Sequence, residues 1–307
     1  MTSAPLVSIC IPTFNNATMV ADALASALAQ NHAPLEILVL DNHSSDDTPE
    51  VIRRVAGNDP RVRSVRHPAN VGMAGNFNQA LALSTGALVL ILCADDLIAP
   101  RCASVLAAAL TAEPSAVMAA CGRQLIDGQL QPKKVERPRN QRETVEGSAL
   151  TLECFARGNI IGEPSAVMFR RSAAERGFRE EYHQLLDMEM WFHLLSQGNA
   201  VFVPDVLSSI RRHSGQWSNT NMLSGRVMTD KRALFRDFAL RLGPRLSVRQ
   251  KLQWDARMAS SVERTRRAQG STPEDVNEVF HPFAFRVFRG LATAAYAATA
   301  LVAGPRA

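Results

Sequence analysis

Residues 92 to 98 read Leu92-Cys93-Ala94-Asp95-Asp96-Leu97-Ile98 and follow an unbroken apolar run, Ala87-Leu88-Val89-Leu90-Ile91. A run that short, bounded by Gly86 and by two adjacent acids, predicts a buried central strand with carboxylates at its C-terminal tip. Two packed carboxylates repel each other unless a cation lies between them, and oxygen-only ligands of this kind suit Mg2+ or Mn2+. The alternative is structural: Asp95 or Asp96 caps a helix that begins near Pro100. The pair alone barely separates these readings, and the rest of the chain must decide.

Two further clusters carry polar groups. Pro12-Thr13-Phe14-Asn15-Asn16 closes one apolar run, and Asp41-Asn42-His43-Ser44-Ser45-Asp46 closes the next. As neighbouring tips of a parallel sheet they offer a carboxylate, amides and hydroxyls around one crevice, a set suited to a nucleobase and ribose. Ser44, Ser45 and Asp46 also precede a helix, which assigns them to building the turn. No G-x-G-x-x-G follows the first run, so dinucleotide binding in the oxidoreductase manner is disfavoured. Further on, Asn70-Val71-Gly72-Met73-Ala74-Gly75-Asn76 crowds amides and glycines at the approach to a helix N-terminus. Asn70, Gly72 and Asn76 are candidate phosphate or ribose contacts there.

The elements that must position these groups alternate. Strands are expected over 6–12, 35–40, 62–65 and the run that reaches Asp95, with helices over 17–30, after Pro49, over 75–84 and over 100–110. That order implies βαβ units and an α/β fold with a mainly parallel, Rossmann-like central sheet flanked by helices. Beyond 117 the pattern loosens. Residues 128–147 are polar, charged and Pro-containing, and are expected as a mobile excursion able to act as a lid. Regular signals return at 151–157, 166–169, 187–197, 201–203 and 206–210. From 221 the chain is helical by composition, so a catalytic domain over 1–220 and a helical C-terminal region over 221–307 are expected.

The formal net charge is +5, from 34 Lys and Arg against 29 Asp and Glu, and much of the excess lies in Arg-rich stretches of the second half. Such a surface suits nucleic acid, anionic lipid or a phosphorylated ligand. No RNA-binding signature or zinc finger accompanies it, and nucleic acid is not expected as a partner. The five cysteines are odd in number, widely spaced and without a C-x-x-C, which predicts reduced core residues in a cytoplasmic protein and no zinc site. The start lacks a charged leader and an apolar h-region, so no secretory signal is expected. Residues 290–304 are uncharged and rich in Ala, Thr and Leu, but short of the about 20 apolar residues a span needs. They read as a helix packed on the protein or, with Arg286 and Arg289 before them, as an interfacial helix on the anionic inner face of the plasma membrane.

Taken in order, Pro12-Thr13-Phe14-Asn15, Glu36 to Asp41 with Ser44-Ser45-Asp46, Asn70-Val71-Gly72 and Cys93-Ala94-Asp95-Asp96 resemble the motifs of family 2 glycosyltransferases. The resemblance covers about residues 5 to 215. It implies the glycosyltransferase A fold and transfer of a sugar, with inversion, from a nucleotide-diphosphate donor to a saccharide or lipid-linked acceptor. By the same resemblance Thr13, Asn15 and Asp41 hold the nucleoside, with Asp41 on the base. Asp95 faces ribose or sugar, and Asp96 coordinates a divalent cation on the diphosphate. Glu163-Pro164-Ser165 precedes a strand as it does in relatives near the acceptor side. Asp187-Met188-Glu189-Met190-Trp191 resembles the acidic motif whose first acid is the catalytic base. Arg211-Arg212-His213 and Gly215-Gln216-Trp217-Ser218 resemble a basic segment that closes over the diphosphate, implying donor contacts for Arg211 and His213. Two departures stand out: Cys93 occupies the place of the first acid of an Asp-x-Asp motif, and Asn42-His43 replaces a more usual Asp-Gly.

The chemistry so implied needs a general base, for which Asp187 is the candidate, charge neutralisation on the departing diphosphate, and exclusion of water. Each residue has a plainer reading. Asp187 and Glu189 could be first-turn acids complementing a helix dipole, His213 a surface histidine, and Trp191 a core residue. Glu163, Glu189 and Trp217 remain candidates for the acceptor side, Trp217 by stacking. The rival functions are a non-catalytic nucleotide-sugar-binding or scaffold protein, which Cys93 keeps open, and a nucleotidyltransferase, for which Asn15-Asn16-Ala17-Thr18 lacks the phosphate loop.

Overall fold

The computed structural model describes residues 4–213, 226–234 and 237–238. The centre of the first half is β1 (Val7–Thr13), a strand buried along its whole length. It pairs in parallel with β2 (Leu35–Asp41) on one side and with β4 (Leu88–Ile91) on the other, while β3 (Val62–Arg66) continues beyond β2. Burial on both faces explains why β1, β2 and β4 read as apolar runs without alternation. Val7, Ile9 and Ile11 join the main core with Val20, Ala23, Leu24 and Ala27 of α1 (Val20–Leu28) and with α4 (Cys102–Ala112). On the opposite face Cys10 meets Ala80 of α3 (Gly72–Leu83). Helix α2 (Thr48–Ala56) carries Pro49 in its first turn.

The start of this sheet is tied by Glu36. Its carboxylate accepts hydrogen bonds from the Ser8 hydroxyl and from the backbone N–H groups of Thr85 (2.6 Å) and Gly86 (3.1 Å). Gly86 is required by space: a Cβ there would lie 2.5 Å from Ser8 Oγ and 2.7 Å from Ser8 N.

In the second half, β5 (Leu97–Ile98), β6 (Ala116–Asp127), β9 (Val167–Arg170) and β10 (Asn199–Arg212) extend the same sheet in the order β3-β2-β1-β4-β9-β6-β10-β5. Strand β9 runs antiparallel to β4 and β6, and β5 runs antiparallel to β10. The sheet is therefore parallel around β1 and mixed beyond β4. Helices α5 (Gly147–Arg157) and α6 (Leu186–Leu195) complete this part, with Trp191 of α6 against Phe169 of β9 at 5.9 Å between ring centroids.

The expected excursion over 128–147 is corrected. It forms β7 (Pro132–Glu136) on the outer half of β6 and β8 (Glu143–Val145) on the first half of β10. Its side chains are solvated on nearly every position, so no alternation betrays strands whose backbone groups pair with the sheet. The two short strands expected at 201–203 and 206–210 are one, β10, with register shifts around Pro204.

The chain divides into two units, Met1–Gln216 and Trp217–Ala307. In the second, α7 (Arg226–Leu234) is described; the expectations for 290–304 and for Trp217 lie outside the described residues. Among the described residues no helix is long and apolar enough to cross a membrane.

Candidate functional site

The chain leaves β1 toward β2 and β3 on one side and returns to β4 on the other, so the strand order reverses at β1. Ligands of open α/β sheets bind outside the carboxyl ends of the strands at such a switch point. The tips of β1, β2 and β4 are the three polar clusters of the sequence.

At the first two tips Thr13 and Asp41 are directly paired in register and both are buried. Asp41 Oδ1 accepts the Ser44 N–H at 3.0 Å. Its Oδ2 lies 3.2 Å from Arg66 Nε but makes no hydrogen bond, and Thr13 Oγ1 also has no partner among the described residues. A buried polar atom left unpaired costs about 1–3 kcal/mol. Thr13 Oγ1 is such an atom, and Asp41 Oδ2 beside it is offset only by the Arg66 ion pair, so the two adjacent tips retain acceptor capacity toward the crevice.

The surroundings are spent on holding these tips. Asn15 sits at φ 47° and its Oδ1 accepts the Ser45 N–H at 2.8 Å, while its own N–H donates to Ser44 Oγ at 2.9 Å. Asp46 accepts from the N–H groups of Ala17 and Thr48. Ser44, Ser45 and Asp46 build the turn, as expected. Asn42 reaches across to the approach of α3, donating to Asn70 Oδ1 (3.0 Å) and Gly72 O (3.1 Å) and accepting from Val71 N–H (2.9 Å). Asn70 and Gly72 are exposed at that rim, with Gly72 at φ +75° and open space around it. Asn76 is a correction. It is buried, with its amide between His67 Nε2 (2.9 Å) and Leu40 O (3.2 Å), so it supports the tip of β2 and does not face a donor.

At the β4 tip Asp96 is buried. Its Oδ2 accepts the Ser165 hydroxyl at 2.6 Å and its Oδ1 accepts the Arg211 backbone N–H at 2.9 Å. Ser165 Oγ also accepts the Cys93 N–H at 3.0 Å, so the turn Pro164–Ala166 pins both ends of Cys93-Ala94-Asp95-Asp96. Asp95 is partly exposed and its Oδ2 lies 3.1 Å from His213 Nε2. Burial, then the charge of Asp95, pushes the Asp96 carboxyl well above the ordinary range. Burial, then the charges of Asp96 and Asp95, pushes the Cys93 thiol up. Cys93, Asp95 and Asp96 each offer a ligand atom, and these atoms lie within 4.8 Å of one another. Opposed carboxylates this close fit a divalent cation, with Asp95 and Asp96 as its oxygen ligands.

Arg211 is buried; its guanidinium donates to Asp22 of α1 at 2.8 Å, and its backbone N–H donates to Asp96. Arg212 pairs with Glu163 at 2.6 Å, and Glu163 also lies 2.9 Å from Arg123 Nε. Asp187, in the first turn of α6, is partly buried; its oxygens accept from Met188 N–H (2.7 Å) and Asn159 Nδ2 (3.3 Å). Burial, with Glu163 adding to it, pushes its carboxyl up to about 7. Glu189 is fully buried and paired with Arg176 at 2.8 Å, which corrects its placement on the acceptor side. Trp191 is core, its Nε1 donating to Gly162 O. Ser165, Asn159 and Arg123 went unrecognised in this setting. The Ser165 hydroxyl was legible as a residue, but its partners are 69 and 72 positions away.

The family model described as Glycosyl transferase family 2 matches residues 8–178. An uncharacterized protein of Mycobacterium tuberculosis is 34% identical over 232 residues, covering 72% of each chain. Among solved structures, Staphylococcus aureus TarS 1–349 in complex with UDP-GlcNAc superposes with a TM-score of 0.59 at 16% identity, over 85% of this chain and 82% of that one. The mannosyltransferase PcManGT of Pyrobaculum calidifontis, in complex with GDP-Man and Mn2+, gives 0.58 at 20% identity, over 95% and 85%. At these identities the structural likeness shows the fold.

Proposed function

The chain belongs to glycosyl transferase family 2, and from that premise we propose that this glycosyltransferase moves a sugar, with inversion, from a UDP-sugar to a hydroxyl of a cell-surface glycan or lipid-linked saccharide precursor. The observation that carries the reading is the switch-point crevice, where buried Thr13 Oγ1 makes no hydrogen bond among the described residues and buried Asp41 Oδ2 has only the ion pair with Arg66, beside the Asp95–Asp96 tip. Ser44 occupies Asp41 Oδ1 and Arg66 flanks Oδ2, so Oδ2 is the oxygen left to accept one donor of the base. That suits the single N3–H of uracil better than guanine, whose two adjacent donors ask for both oxygens. Thr13 offers a hydroxyl to a neighbouring base carbonyl. Asn70 and Gly72 form the rim that a ribose or phosphate meets. Asp95, with His213 beside it, faces the sugar and diphosphate.

The UDP-GlcNAc bound by TarS and the GDP-Man and Mn2+ bound by PcManGT support a nucleotide-sugar donor with a divalent cation for this fold. Held by Asp95 and Asp96, Mg2+ or Mn2+ would supply charge neutralisation to the departing diphosphate. Asp187 accepts the proton of the acceptor hydroxyl as that oxygen attacks the anomeric carbon from the face opposite the leaving group. A carboxyl held at about 7 is matched to that task near neutral pH. A single displacement of this kind inverts the anomeric configuration. Glu163, bridging Arg123 and Arg212, borders Asp187 on the acceptor side.

The reading is tested by incubating the protein with UDP-, GDP- and dTDP-sugars and saccharide or lipid-linked acceptors, following nucleoside diphosphate release and the product's anomeric configuration by NMR. UDP release with an inverted product is expected. A retained configuration would contradict the single displacement, and no turnover of any donor would favour a binding role.

A further inference from the structure

One residue at the β4 tip is not an oxygen donor, and the transfer described above gives it no task. Cys93 offers its sulfur in the same cluster as Asp95 and Asp96, all three ligand atoms lying within 4.8 Å of one another. Of the five cysteines, Cys10, Cys102, Cys121 and Cys154 are buried, and Cys93 is the one with partial exposure. The placement is held from outside: Ser165 Oγ accepts the Cys93 N–H at 3.0 Å and donates to Asp96 at 2.6 Å, so one hydroxyl fixes the thiol-bearing turn and the buried carboxylate together. An outer hydroxyl on a ligating carboxylate, here Ser165 on Asp96, is the pattern of a metal shell. The hard ion Mg2+ takes oxygen and gains little from sulfur, whereas Zn2+ and Cd2+ gain a strong bond from a thiolate.

We propose that Cys93 is a metal-ligating thiol of the donor site, so that this centre takes a thiophilic divalent cation, Zn2+ or Cd2+, in a mixed sulfur–carboxylate shell with Asp95 and Asp96. The inference rests on the donor-site reading given above. On binding, the Sγ–metal bond forms as the S–H bond breaks and the proton passes to buffer; nothing is oxidised or reduced. Such an ion competes for the place where Mg2+ or Mn2+ supports transfer, and the enzyme is correspondingly sensitive to thiophilic metals.

The test titrates Cd2+ into the full-length apo protein and follows the ultraviolet thiolate-to-cadmium charge-transfer absorption. The wild type should give a saturating band at one Cd2+ per chain, and Cys93→Ser should lack it. Asp95→Asn keeps the thiol and should need at least about tenfold more Cd2+ to reach its midpoint, since even an outer contact to a metal ligand is worth about 10–100-fold. No band in the wild type, or a band of unchanged size and midpoint in Cys93→Ser, overturns the proposal. A parallel titration of UDP with Mn2+ separates the two claims. A wild type that binds UDP but gives no cadmium band overturns the thiol ligand alone. One that gives the band but binds no nucleotide overturns the donor-site reading and upholds the cation site.

Discussion

At Asp187 the proposed role as general base and the stability of the fold oppose each other. An ordinary aspartate has given up its proton by pH 5, but this one keeps it to about 7 because burial penalises the charge and Glu163 adds to the penalty. The folded chain therefore holds a proton that the unfolded chain has lost, and the group's contribution to stability is lost as pH rises from the unfolded value of 3.8 to about 7. Two results are expected. The kcat/KM profile should rise with pH through an acid limb near 7, and Asp187→Asn should lower turnover by about 10²–10⁴-fold while leaving UDP binding in place. The same variant should melt higher than the wild type at pH 8, by about 1–3 kcal/mol once partial exposure is discounted. Equal melting temperatures with full activity would remove Asp187 from both roles.

At the scale of elements, the site depends on strands that were not all visible beforehand. The turn Pro164–Ala166 and β9 reach back across the sheet to place Ser165 under the β4 tip. Ser165→Ala would leave Asp96 Oδ2 and the Cys93 N–H without this partner, and kcat/KM with Mn2+ should fall about 10–100-fold, the usual effect of losing an outer contact to a metal ligand. Unchanged kinetics would mean that the tip holds itself. Glu36 plays the corresponding part at the other end of β1. Its acceptor bonds hold its carboxyl below the usual glutamate value, so the stability it contributes is lost as pH falls through that depressed value. Glu36→Ala should cost about 1–3 kcal/mol in chemical denaturation without moving the pH profile of turnover.

Why some of these elements were legible is a matter of which signal each one carries. β1, β2 and β4 are continuous apolar runs ending in turn residues, and the switch point followed from their order. Strand β6 opens Ala-Val-Met-Ala-Ala-Cys-Gly, where alanines and a glycine dilute the strand preference of Val117, and its place between β9 and β10 is set by tertiary pairing. Residue type singled out Asp41, Asp96 and Asp187 as candidates, but not the direction of their neighbours. Asn76 and Glu189 carry the right chemistry and point into the scaffold, and only tertiary partners such as His67 and Arg176 reveal that.

For the whole molecule, the reversal of strand order at β1 brings clusters separated by more than eighty residues to one crevice, within the unit Met1–Gln216. The net charge of +5 is a long-range attraction for a diphosphate donor or an anionic surface, felt before any residue makes contact. A peripheral position at the inner face of the plasma membrane is the location we propose, and added salt should weaken it. Nucleotide and metal binding together decide the proposed donor site, so the most direct measurement is calorimetric titration of UDP, GDP and dTDP into wild type and Asp96→Asn, with Mn2+ and with chelator. UDP should bind in Mn2+, and either chelator or Asp96→Asn should weaken it by at least about tenfold, or 1.4 kcal/mol. UDP binding unaffected by both, or no nucleotide binding by the folded protein, would contradict the donor site at the tips of β1, β2 and β4.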